Sequence, residues 1–300
     1  MARDTAFLVV TERCNLHCPY CFHEQESGRL TGAEMSMEEW RECCAQLRRL
    51  GVGKVIITGG EPLLRADLPA LLAACQCAGF SILLLSNGLL LDAGLAAILV
   101  SSGVRSVTIS LNRLVDIENE GEFRRLLQEY VRIFSILKGA GIAWLSAIAV
   151  ISRRNAPYVA ELHEWCSAAG IGLLIQPVYC AHSGWEHLDL AFFNDEEWFN
   201  LERGVAPWIA AYGTQRYWSL VRSLFTSRPL HPGSCWMGRE AMVVQSDGTA
   251  LPCFHRRDLL CGSLLSDSFE SIHRRLNEAA EETGQAACFG VHCVSLFMHY

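Results

Sequence analysis

The chain has 300 residues, is 51% hydrophobic and 19% charged, and carries a net charge of −7 at neutral pH. That length suits one large α/β domain or a barrel with an appendage. No apolar run reaches the length of a membrane span, and the acidic balance disfavours nucleic acid, whose phosphates call for clustered Lys and Arg.

Met1-Ala2-Arg3-Asp4 leads into an apolar stretch too short for a signal peptide, so a cytoplasmic location is expected. In that reducing compartment fourteen cysteines argue for metal ligation rather than disulfides. The apolar stretch 6–10 reads as a first strand. Directly after it comes Thr-Glu-Arg-Cys14-Asn-Leu-His-Cys18-Pro-Tyr-Cys21, a C-x3-C-x2-C spacing. Three thiolates on one tight loop can hold three irons of a [4Fe–4S] cluster and leave the fourth open to a small molecule. A zinc site completed by His17 or His23 is the competing reading.

Ser36-Met37-Glu38-Glu39 reads as a capping box opening a helix that ends near Leu50-Gly51. Strand 54–58 then delivers Thr58-Gly59-Gly60-Glu61-Pro62, where paired glycines let backbone approach a ligand closely. Helix 65–78, strand 81–85, helix 91–102, strand 107–111, helix 122–140, strand 145–151, helix 157–169 (capped by Asn155) and strand 173–178 follow in alternation. The strands are near-continuous apolar runs, as expected when both faces are buried in a parallel sheet. Repeated strand–helix units imply right-handed crossovers. Cys14, Gly59, Ser86, Asn87, Ser110, Asn112, Ser152, Arg153 and Gln176 all follow strands and are expected at one mouth. Cys43, Cys44, Cys75, Cys77 and Cys166 fall on the helices and read as small core residues.

Residues 181–231 are rich in aromatics, and Asn194-Asp195-Glu196-Glu197 starts another capped helix. A helical linker packing a second core is the expectation, and a substrate lid the alternative. Beyond it lie Cys235, a hairpin with an Asp247-Gly248 turn before Cys253, then Cys261, a helix near 269–280, Cys288 and Cys293.

The cysteine triad and the GGEP segment together resemble the radical S-adenosylmethionine (SAM) superfamily. The resemblance implies an α/β fold: a partial (β/α)6 TIM-like barrel over 1–180, the aromatic linker or lid over 181–231, and a small C-terminal α+β iron–sulfur domain over 232–300. It implies that SAM binds the open iron of a cluster on Cys14, Cys18 and Cys21. Tyr20, Gly59, Gly60, Glu61, Pro62, Ser110 and Asn112 become the SAM-binding candidates. The C-terminal cysteines resemble a Twitch domain, the shortened relative of SPASM, with one auxiliary [4Fe–4S] cluster on Cys235, Cys253, Cys288 and Cys293. The Cys288-x4-Cys293 spacing is wider than usual there, so Cys261 is an alternative ligand. Two clusters and SAM are the expected cofactors, with an external electron donor such as flavodoxin or ferredoxin.

A spare thiol beside an auxiliary cluster suits a hydrogen-atom donor, which makes Cys261, with Cys253 second, the expected catalytic residue of an epimerase. The layout resembles Twitch-type enzymes of aminoglycoside biosynthesis, neomycin C epimerase among them, and implies a cationic, sugar-like substrate. Three alternatives stand beside it. One is a dehydrogenase of an aminocyclitol or sugar alcohol that uses the auxiliary cluster as electron acceptor. Another is a peptide-modifying enzyme, although the first strand begins too near Met1 for a preceding peptide-binding module. The third is a non-catalytic iron–sulfur carrier or sensor.

Overall fold

Six strands alternate with helices and lie side by side in parallel. In chain order they are β1 (Thr5–Val9), α1 (Met37–Arg49), β2 (Lys54–Thr58), α2 (Leu68–Cys77), β3 (Ser81–Ser86), α3 (Ala93–Ser101), β4 (Ser106–Ser110), α4 (Glu120–Gly139), β5 (Trp144–Ile151), α5 (Val159–Ala168) and β6 (Gly172–Pro177). Helices α6 (Asp195–Tyr212) and α7 (Gln215–Phe225) follow, then β7 (Ala241–Val244), β8 (Ala250–Leu251) and α8 (Phe269–Gln285). The computed structural model describes residues 3–21, 33–178, 186–225, 237–254 and 256–285.

The strand order is β6-β5-β4-β3-β2-β1-β7-β8. Every neighbouring pair through β7 is parallel, and only β7–β8 is antiparallel. This is the expected partial barrel. The hairpin expected to open the C-terminal unit continues the barrel sheet instead: Ala6 pairs with Met242 and Leu8 with Val244.

The two faces of the sheet differ. Ala6, Leu8, Val55, Ile57, Leu84, Val107, Ala147 and Leu173 join the helices in one large apolar layer. Phe7, Val9, Ile56 and Val243 form a smaller cluster on the other, concave side, with Leu83, Leu85, Cys253 and Phe254 half-buried against it. Burial alternates along β3, β5 and β6. The expectation of strands buried on both faces holds for β1 and β7 and for the middle of β2 and β4, and is corrected for β3, β5 and β6. The helices cover one face, and the concave face stays half-open, although its side chains include enough leucine and isoleucine to hide the alternation in sequence.

Local signals hold where they rest on backbone donors. Ser36 Oγ accepts from Glu39 N–H at 3.3 Å while Ser36 N–H donates to Glu39 Oε2 at 2.7 Å. Asn194 and Glu197 form the same box at the start of α6. Asn155 caps no helix with its side chain. It is buried, accepts from Ser152 N–H, and donates to Leu114 O and Val150 O, fastening the end of β5.

Most aromatics of α6 and α7 pack into the main layer rather than a second core: Trp198, Trp208, Tyr217 and Trp218 all belong to it, whereas Phe199 is exposed. Two of them also close the free edge of β6. Trp208 Nε1 donates to Leu173 O at 2.8 Å, and Tyr212 Oη accepts from Leu173 N–H at 3.1 Å. These bonds satisfy edge groups that would otherwise template another strand. No helix among the described residues is long and apolar enough to cross a membrane.

Candidate active site

The cysteine loop leaves β1 at the same end of the sheet as the Gly-Gly segment leaves β2. Pairing between the strands continues into the loops. Val10 N–H donates to Thr58 O, Gly60 N–H to Thr11 O at 2.9 Å, and Glu61 N–H to Arg13 O at 2.8 Å. A Cβ on Gly59 would lie 2.4 Å from Thr11 O, and one on Gly60 2.3 Å from Arg13 O. The glycines are thus required by the backbone of the cysteine loop itself. That they also let backbone approach SAM remains the expectation drawn from the resemblance.

Glu61 is fully buried. Its carboxylate accepts from Leu63 N–H, from Ser86 Oγ at 2.8 Å and from Asn87 N–H at 2.8 Å, so it binds the end of β2 to the end of β3. Burial pushes its carboxyl up, against the pull of these donors. Asn87 Nδ2 in turn donates to Asn15 Oδ1 at 2.8 Å, inside the cysteine loop. Pro62 is buried at the start of a short 3-10 turn, Pro62–Leu64.

Two groups at the root of the loop were not found from sequence. Glu34 accepts from Thr11 Oγ1 at 2.5 Å and from Glu12 N–H at 3.1 Å. Buried Arg65 donates to Val10 O at 2.7 Å and Met35 O at 2.8 Å, and pairs with Asp67. The only sequence hint was an arginine set among apolar residues just beyond Pro62.

Cys14 is exposed, and Cys18 and Cys21 are half-buried. Cys21 N–H donates to Cys18 O at 3.0 Å, turning the loop, and Leu16 N–H points at Cys14 Sγ at 3.4 Å. Partial desolvation by the surrounding loop pushes the Cys14 thiol up, while that N–H favours the thiolate. Among the described residues no three His, Cys, Asp or Glu side chains are gathered tightly enough in this conformation to hold a metal ion. The donor set nevertheless fits an iron–sulfur cluster: three accessible sulfurs on one short loop, one already facing a backbone N–H of the kind that tunes such clusters. Sites of this kind commonly close only on the metal.

Tyr20 Oη donates to Asn112 Oδ1 at 3.0 Å, and the side chain packs against the cluster of Val115, Val178 and Leu188. Burial, then the neighbouring Cys18, holds its hydroxyl well above the usual tyrosine range, so it remains a donor. A cavity of about 240 Å³ has His17, Cys18, Tyr20, Asn112, Arg113 and Asp116 in its wall. Ser110 ends β4 half-buried on the concave side, and Gln176 is half-buried on β6. Ser152 Oγ donates to Val115 O, and Arg153 reaches Glu197 at 2.9 Å. The strand-end residues follow parallel strands and so share one end of the sheet, and several are tied to loop neighbours: Ser86 and Asn87 to Glu61, Asn112 to Tyr20 and Ser152 to Val115.

The C-terminal cysteines separate. Cys253 is half-buried on the concave side, next to Phe254, whose ring meets Phe7 edge-on at 5.3 Å. Cys261 is 1% exposed in the outer apolar layer with Met242, Leu264, Ile272 and Leu276. Burial raises its thiol to about 11. The two candidate donors thus lie on opposite faces of the sheet. Cys235, Cys288 and Cys293 lie outside the described residues.

A family model for the radical SAM superfamily matches residues 8–166, and one for the SPASM iron–sulfur cluster-binding domain matches residues 235–290. The second match takes in Cys235, Cys253, Cys261 and Cys288 and stops short of Cys293. A PqqA peptide cyclase from Granulibacter bethesdensis (strain ATCC BAA-1260 / CGDNIH1) is 28% identical over 270 residues, 84% of this chain and 68% of that protein. A PqqA peptide cyclase from Streptomyces rochei is 41% identical over 102 residues, 34% of this chain and 28% of that protein. Among solved structures, native anSMEcpe with bound AdoMet superposes with a TM-score of 0.67 at 15% identity, covering 96% of this chain and 88% of that one. At that identity the likeness is one of fold.

Proposed function

The chain belongs to the radical SAM superfamily, and from that premise we propose that it is an enzyme that modifies a peptide by hydrogen abstraction and bond formation. The observation that carries the peptide reading is the 28% identity kept over 84% of the chain with a protein named PqqA peptide cyclase. Membership implies a [4Fe–4S] cluster and SAM, and the SPASM match implies further iron–sulfur ligation. When bound and reduced, the cluster supplies the electron that splits SAM into methionine and the radical that abstracts hydrogen.

In this reading Cys14, Cys18 and Cys21 hold three irons. The Gly59-Gly60 contact and the Glu61–Ser86–Asn87 network keep that loop seated over the concave face. Gly59, Gly60 and Pro62 act on SAM indirectly, by shaping the loop, and Glu61 by anchoring it. Tyr20, fixed by Asn112, and Ser110 would be the groups that hold SAM. Cys235, Cys253, Cys288 and Cys293 are the proposed auxiliary ligands; the alternative, Cys261, is set aside because it lies in the outer layer, on the face opposite Cys253. An external one-electron donor of the flavodoxin or ferredoxin type supplies reducing power. Epimerisation of an aminoglycoside is not carried forward. Its first candidate donor, Cys261, is enclosed beneath α8 in the outer layer, and its second, Cys253 on the concave side, is assigned in this reading to the auxiliary cluster. The dehydrogenase and electron-carrier alternatives have no separate observation in their favour.

The test is an anaerobic incubation of the reconstituted protein with SAM, dithionite and a synthetic PqqA precursor peptide, with an aminoglycoside in a parallel arm. Peptide-stimulated 5′-deoxyadenosine and a product lighter by two hydrogens are expected. Stimulation by the aminoglycoside and not by the peptide would overturn the reading.

A further inference from the structure

The residue after β7 is Gln245, one step past the Leu8–Val244 pair and so level with Val9. Val244 belongs to the outer layer, whereas Val243 lies on the concave side with Phe7 and Val9. Alternation along the strand turns the Gln245 side chain to the concave side as well. The residue is fully buried. Its backbone is satisfied: the N–H donates to Thr249 O at 2.8 Å and the carbonyl accepts from Gly248 N–H at 3.0 Å. Its carboxamide is not. Among the described residues neither the amide nitrogen nor the amide oxygen has a hydrogen-bond partner.

The position is close to the cysteine loop. The adjacent Ser246 Oγ donates to Glu12 Oε1 at 2.9 Å, two residues before Cys14. The side chains that β1, β2 and β7 turn to this same side are apolar: Phe7, Val9, Ile56 and Val243. An unpaired carboxamide in such surroundings opposes folding, and an apolar side chain of equal size would serve the fold better. A polar group kept at such a cost points to a ligand that completes it.

We infer that the Gln245 carboxamide is a substrate-binding group that pairs with a peptide group, its NH2 donating to a substrate carbonyl and its oxygen accepting from a substrate N–H. This rests on the peptide reading above. The chemistry matches on both counts: a carboxamide carries a donor and an acceptor side by side, as a peptide group does, and an uncharged group in an apolar wall suits a neutral partner rather than a polycation. The side chain has several rotatable bonds and swings to meet an incoming chain between staggered wells.

The test compares wild-type holoenzyme with Gln245→Met, which keeps length and flexibility without the amide. Thermal melting is measured without substrate, basal 5′-deoxyadenosine formation without peptide, and KM and kcat with the synthetic PqqA peptide. We expect Gln245→Met to melt at or above wild type, with unchanged basal SAM cleavage and a KM raised about tenfold for the lost pair of bonds. A lower melting temperature assigns the residue to the fold and overturns the inference, as does an unchanged KM. Should only a small molecule stimulate the wild type, the peptide reading fails by itself. The KM of Gln245→Met for that molecule then decides whether this is a binding group, and an unchanged value overturns it.

Discussion

Gly60→Ala tests the idea that the Gly-Gly segment exists to seat the cysteine loop. The added Cβ would lie 2.3 Å from Arg13 O, 2.6 Å from Arg13 C and 2.8 Å from Glu12 O. All three are backbone atoms, so no side chain can swing aside. Non-bonded heavy atoms settle near 3.5 Å, so the loops must part by about 1 Å. That movement strains the Gly60–Thr11 and Glu61–Arg13 hydrogen bonds together. Overpacking of this kind costs about 1–3 kcal/mol, and more where the backbone cannot yield. A misplacement of about 1 Å at a reacting centre costs on the order of 100-fold in rate. Gly139→Ala is the control. Nothing lies within 4 Å of its added Cβ, and the position is helical, so the change should be neutral or stabilising by up to about 1 kcal/mol. The assay measures iron per chain after anaerobic reconstitution, melting temperature and SAM cleavage on both variants. Gly60→Ala should lose iron as well as SAM cleavage, because the cluster loop itself moves. If its iron content and melting match Gly139→Ala while only SAM affinity falls, the seating argument is refuted and the glycines serve SAM directly.

Arg3 is fully buried; its guanidinium donates to Gly238 O at 3.0 Å and Asn277 Oδ1 at 2.8 Å. Arg3→Met should cost about 1–3 kcal/mol by stranding those acceptors, visible as faster hydrogen exchange in α8; unchanged exchange would contradict this. His273, on the same helix, is held below 6.5 by burial and then by the Arg3 charge. Its folded value being the lower one, its contribution to α8 docking is complete above 6.5 and is lost as pH falls through the folded value. Exchange at pH 7.5 and 5.5 should show this in wild type, and a His273→Gln variant that keeps the same pH dependence would assign it elsewhere. Tyr212→Phe removes the acceptor of the β6 edge N–H of Leu173 and should lower the denaturation midpoint by about 1–3 kcal/mol of stability, leaving iron content unchanged. Cys261→Ala should retain both SAM cleavage and substrate turnover with a small loss of melting temperature. Loss of turnover with full iron content would restore this thiol to the chemistry.

The sequence by itself determined the elements whose causes are local. The C-x3-C-x2-C spacing, the Ser36 and Asn194 capping boxes, the Asp247-Gly248 turn and the six strand–helix repeats each depend on residues within a few positions of one another. Backbone donors and turn chemistry act at that range, so the superfamily and the partial barrel were legible. Which face a side chain occupies, and what stands opposite it, depends on strands distant in the chain. Only the tertiary structure decided that Gly60 faces Arg13, that Glu61 is spent on Ser86 and Asn87, and that Arg65 and Glu34 clamp the loop. The same holds for β7, whose four residues carry no mark of pairing with β1. That pairing sends Cys253 and Gln245 to the concave side and, with α8 packed behind, encloses Cys261 in the outer layer. A spare cysteine in the sequence is reactive or inert according to that choice of face, because burial among leucines keeps a thiol protonated and out of reach.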